Sequence, residues 1–319
     1  MNFLIKLQSL DRRWIYLLVA LAIIIPLLIP FDSKTYTTEP VENIYQKVDS
    51  FSGKSNKAIL MVFMHDASTM PELFPMEVSV LRHAFERNVK VFTICFTPTA
   101  APLVDYAINT VREQFPDKKS GIDYCNFGYK PAALMVPMVL GMGEDISKAV
   151  DIDSEGRKIA NLPIMQDIKN YNEMNLIINF SGSDYGYTWI TYARSKFGAN
   201  VAAGVTAVMA ADAYPFLQTG QLLGMMAGLK GASEYEKLDD VFASYKDANY
   251  PSGRPFSKEI INETIANDTF KISDQKVYAF KKARIGMNSQ SAAHILIIIF
   301  IIIGNLGYFI EKSKQKQDQ

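Results

Sequence analysis

Two stretches of the chain are apolar without interruption, and they lie near its two ends. Trp14 to Phe31 carries no charged side chain and is bounded by Arg12 and Arg13 on one side and Asp32 on the other. Ala292 to Ile310 is equally free of charge, and its centre, Ile295 to Ile303, is too apolar and too β-branched for a surface helix. Both runs meet the lower length for a membrane-spanning helix and far exceed a strand. A cleaved signal peptide is the alternative for the first run, but no A-x-A-like site follows it. Pro26 and Pro30 loosen its outer end, where lipid tolerates a break best.

Between the runs the pattern changes. Val41, Ile44, Tyr45 and Val48 recur at helical spacing, which predicts a short amphipathic helix over 38–51 on a stalk. Then continuous apolar runs alternate with helical patterns. Strands are predicted over Ala58–Met64, Lys90–Phe96, Asp123–Phe127, Asn175–Phe180 and Ala199–Val205. Helices are predicted over Met76–Arg87, Leu103–Phe115 and Tyr187–Lys196. This alternation predicts an α/β fold: a three-layer, doubly wound, mostly parallel five-stranded sheet of Rossmann-like type, in the order 3-2-1-4-5. The long connection 128–173 crosses back between strands three and four. It contains an apolar helix, Ala132–Met142, and the segment DIDSEGRKI, which predicts a small hairpin. Methionines in that helix fill core gaps, with a membrane or partner face as the alternative. After Gly231 the pattern weakens: 233–245 and 273–283 read as helix and 249–255 as loop.

The expected organisation is a tail (1–13), a span (14–31), a stalk (32–56), the α/β domain (57–232), an extension back to the membrane (233–291), a second span (292–310) and a tail (311–319). Lys6, Arg12 and Arg13 precede the first span and only Lys34 follows closely. By the positive-inside rule both termini are cytoplasmic and the domain extracytoplasmic, in a cell or inner membrane.

Composition narrows the function. Lys+Arg and Asp+Glu are both 33, so the zero net charge argues against a nucleic-acid partner. Cys95 and Cys125 are too few for a disulfide scaffold or a Cys-rich zinc site. They fall near the ends of neighbouring predicted strands, yet buried free thiols are the expectation. Three histidines exclude a His-rich metal site, and no metal or cofactor is implied. No P-loop, G-x-G-x-x-G, G-x-S-x-G or H-E-x-x-H motif is present.

Ligands of open α/β sheets bind outside the carboxyl ends of the strands. The candidates there are His65, Asp66 and Ser68 after strand one, Ser181, Ser183 and Asp184 after strand four, and Asp212 beyond strand five. Helix capping and turn formation explain the same residue types. A second feature is Gly220, Gly224 and Gly228, spaced four apart, which predicts a smooth helix face for close packing. Two functions follow. One is a binding or scaffold subunit of a membrane-associated complex, in contact with lipid and with a protein partner or a second copy. The other is a membrane-tethered hydrolase with Ser as nucleophile and His65 as base. A transporter is excluded, because two spans without an ionisable residue offer no pathway.

Overall fold

The computed structural model describes residues 11–31, 35–246 and 281–317. Residues Thr35–Arg284 form one compact unit, and Met1–Lys34 with Ile285–Gln319 form another.

The larger unit is an α/β fold on a parallel sheet of six strands: β1 (Ala58–Met64), β2 (Lys90–Cys95), β3 (Tyr124–Tyr129), β4 (Leu176–Ser181), β5 (Val201–Val205) and β6 (Gly224–Ala227). Their order is β3-β2-β1-β4-β5-β6. β1 lies between β2 and β4, with Met64 opposite Ser181. All seven β1 side chains are buried because helices cover both faces. On one face Ile59, Met61 and Phe63 pack under α2 (Glu39–Asp49), α3 (Met70–Glu86), α4 (Ala101–Arg112) and α7 (Gly228–Lys246). On the other, Leu60, Val62 and Met64 pack under α5 (Met135–Met142), the 146–174 connection, the segment 187–197 and α6 (Ala210–Gln218).

The sequence pattern placed five strands in this order, and the sixth corrects it. β6 pairs with β5 through Ala202–Val205. The glycine reading is corrected with it, since Gly220, Gly224 and Gly228 do not share a helix face. Gly220 sits in a turn at φ +71°, Gly224 opens β6, and Gly228 has φ +56° where α7 begins. Gly224 and Gly228 still permit close approach. A Cβ at Gly224 would lie 2.1 Å from the Pro40 carbonyl oxygen, because α2 lies directly against this strand. A second difference is Tyr187–Lys196, expected as an ordinary helix: Trp189–Arg194 is a π-helical turn, with the Ser195 hydroxyl donating to the Ile190 carbonyl at 3.1 Å. The expected hairpin forms as the Ile152–Lys158 bridge. It covers the β3 edge, Ser154 N–H donating to the Asn126 carbonyl at 2.8 Å.

The two thiols are free and buried. Burial pushes each up to about 12, so neither is a thiolate at neutral pH. Register explains their separation: Cys95 pairs with Tyr129 and Cys125 with Phe92, on opposite faces of the sheet.

Beneath α2, α3 and α7 runs a buried ionic layer. Arg87 Nε donates to Asp49 Oδ1 at 2.6 Å, and Tyr45 stacks on His83, whose Nδ1 meets the Tyr235 hydroxyl at 2.9 Å. Asp240 pairs with both Arg82 and Arg284. The carboxylate of Glu236 accepts the N–H groups of Ala283 and Arg284 at 2.9 and 3.0 Å, capping the first turn of α8 (Lys282–Gln317). Burial pushes the Glu236 carboxyl up to about 8, opposed by those two N–H groups. The folded chain therefore holds a proton that the unfolded chain releases near the ordinary 4.5, and stability is lost as pH climbs from about 4.5 to about 8. Asp239 acts in the same direction: it is fully buried, and no donor reaches either oxygen among the described residues. Thermal unfolding of the full chain in detergent is expected to show this decline, flattened in Glu236→Gln. Equal slopes for both proteins would remove Glu236 as a source.

In the smaller unit, α8 carries the second apolar run. Its Lys282–Ile310 portion is, among the described residues, the one helix long and apolar enough to cross a membrane. Its apolar side chains are largely exposed, Ile295 by 60%, which a soluble core helix would not tolerate. The first run forms a helix shorter than the span expected over 14–31. α1 (Arg12–Leu28) has 17 residues, a length of about 26 Å against a hydrocarbon core of about 30 Å. It stops because Ile29 precedes Pro30 and turns extended, at φ −128°. The readings for 249–255 and most of 273–283 lie outside the described residues.

Candidate functional site

The carboxyl ends of β1, β4 and β5 carry the residues that the pattern singles out. Two contacts draw their loops together. Thr69 Cγ2 stands 2.9 Å from where a Gly182 Cβ would be, so the loops after β1 and β4 touch. Glu72, in the first turn of α3, accepts the Ala207 N–H at 2.8 Å and ties in the loop after β5. Burial raises the Tyr187 hydroxyl above its ordinary pKa, and the charges of Asp212 and Asp184 add to it.

The individual side chains divide into two groups. His65 turns away from the edge into the domain. Its Nε2 meets Glu77 Oε1 at 2.5 Å, and its Nδ1 meets the Asp66 carbonyl at 3.1 Å, with both side chains fully buried. Burial disfavours the imidazolium, but the Glu77 charge and hydrogen bond outweigh it and raise the His65 pKa. Burial likewise raises Glu77. The pair pins the loop after β1 onto α3. Ser181 is buried as well: its hydroxyl donates to the Ser183 carbonyl at 2.7 Å and accepts the Ser183 N–H at 3.1 Å. No hydrogen bond joins His65 to a serine among the described residues, so the nucleophile–base pair of a hydrolase is not assembled.

The second group is exposed. Asp66 accepts the N–H and hydroxyl of Ser68 at 2.8 and 2.6 Å, a turn that lowers its carboxyl. Ser183 is half-buried. Asp184 opens a short 3-10 turn, and Asp212 lies in the first turn of α6, both exposed. Val208, between β5 and α6, is 84% exposed, and Tyr214 on α6 is 51% exposed.

Two residues of this edge escaped the pattern reading. Glu77 stands among apolar residues on α3, and a carboxylate on a buried helix face is itself the signal of a partner. Asn179 interrupts the apolar run of β4. It is 2% exposed, its Oδ1 has no donor among the described residues, and its Nδ2 lies 2.5 Å from where a Gly186 Cβ would be. The cavity it shares with Ser181 and Ser183 has a volume of about 20 Å³, room for one water. The interior of the crevice is closed, and its chemistry faces outward. The chain matches no protein-family model, no curated protein and no solved structure.

Proposed function

We propose that this chain is a membrane-anchored binding subunit whose α/β domain offers the carboxyl edge of its sheet to a basic protein partner. The observation that carries the reading is the exposed apex of that edge. Val208 projects at 84% exposure, while Asp66, Asp184 and Asp212 stand exposed on the loops and the helix turn that follow β1, β4 and β5. Segments 65–72, 181–188 and 206–213 contain no Lys or Arg to neutralise them. Exposed apolar and aromatic side chains beside acidic loops favour a basic partner over a second copy, whose acidic loops would repel them.

The anchor is α8. The shorter α1 enters the same bilayer beside it, its mismatch met by local thinning and by Arg12 and Arg13 reaching the interface. The cations before α1 then hold both termini in the cytoplasm and the domain outside.

A photo-crosslinking residue at Val208, in the full chain in its own membrane, tests the reading. A discrete protein adduct is expected, weakened by Asp184→Lys with Asp212→Lys and absent from a probe at Lys54, exposed at the opposite edge. Protease outside sealed cells is expected to digest the domain. No adduct at Val208, or the same adduct at Lys54, would refute the binding edge.

A further inference from the structure

At the opposite, amino end of the sheet a groove of about 430 Å³ opens between α2, the turn before β6 and the last residue of the π turn. That volume lies within the range of small-molecule sites, unlike the crevice at the carboxyl edge. Its apolar wall is Pro40, Leu217, Leu222 and Leu223, and its cation is Arg194.

Arg194 is half-buried, and no carboxylate lies within ion-pair distance of it among the described residues. Its guanidinium reaches the carbonyls of Gly198, Ala199 and Gly220 at 3.5, 3.5 and 3.4 Å, longer than the usual 2.7–3.2 Å of an N–H to oxygen bond. A guanidinium carries five donors in a planar fork that matches a carboxylate, and here those donors are only loosely engaged. The π turn accounts for its placement. Its wider winding shifts the helix register just before residue 194, and such turns recur at functional sites.

We propose that this groove binds a small monocarboxylate with a hydrocarbon body. The carboxylate meets Arg194 and the body lies on Pro40 and the three leucines. Phosphate-rich ligands are usually met by several cations or a helix N-terminus, whereas Arg194 is the single cation among the groove's lining residues. The site is separate from the carboxyl edge and does not depend on it.

The test uses full-length chain in detergent, with hexanoate and leucine as carboxylate probes and hexanamide as the uncharged control. Hexanoate, leucine or both are expected to raise the thermal unfolding midpoint, and hexanamide is not. Arg194→Gln should abolish the rise and Arg194→Lys keep part of it. Leu217→Trp, which fills the groove from its rim, should abolish the rise with Arg194 intact, so the result does not hang on one variant's folding. Asp184→Lys should leave it unchanged, which separates this site from the proposed edge. No rise with either carboxylate, or an equal rise in Arg194→Gln and Leu217→Trp, would overturn the proposal.

Discussion

Replacing Asp240 with alanine is expected to destabilise the α/β unit by about 3–5 kcal/mol, the usual cost of leaving buried charge uncompensated. Asp240 is fully buried on α7, and its two oxygens face Arg82, 3.5 Å away, and Arg284. Removing it takes a shared carboxylate from two guanidinium groups in a buried layer. The loss should be read as a fall in the denaturant midpoint, and the same change should loosen the first turn of α8, which Arg284 holds. Replacing the trio together with Leu, Met and Met removes the unpaired charge as well, and is expected to recover much of the loss. A fall of under about 1 kcal/mol for Asp240→Ala would show that the layer is hydrated and that its charges are not truly buried.

Gly224→Ala is expected to be nearly as damaging, by a different route. The added methyl would stand 2.1 Å from the Pro40 carbonyl oxygen and 2.7 Å from Ile44 Cγ1. A backbone oxygen cannot turn aside as a side chain can, so α2 must lift from β6. Overpacking of this kind costs about 1–3 kcal/mol and occasionally more. Because α2 covers the last strand of the sheet, limited proteolysis should cut within 35–50 in the variant and spare it in the wild type. An intact α2 in Gly224→Ala would mean that the helix is not seated on the strand as described.

Gly224 also shows why one strand escaped the sequence. β6 is four residues long, Gly-Met-Met-Ala, and carries none of the β-branched or aromatic residues that mark β1 or β4. Gly224 and its neighbours Gly220 and Gly228 fall four apart, which is the spacing of a helix face. Only the pairing with β5 and the close approach of α2 decide that this segment is extended, and neither contact is local. His65 escaped in a similar way. Its position after β1 was legible, but whether its ring points to solvent or inward depends on Glu77, one residue of a helix packed beneath it. Without that partner a histidine at a strand end and a catalytic base look alike.

The sequence alone determined the elements with strong periodicity and the order in which they assemble. Long apolar runs such as Ala58–Met64 can be satisfied only with both faces covered, and their alternation with helices leaves few topologies open. It also determined that Ala292–Ile310 is too long and too apolar for a soluble surface, because burial of that much hydrocarbon is a property of composition. Tertiary structure decided the rest: the sixth strand, the opposite faces of Cys95 and Cys125, the inward turn of His65 and Ser181, and the groove at Arg194. Each depends on register or on a contact between residues far apart in the chain, and a shift of one residue would reverse it.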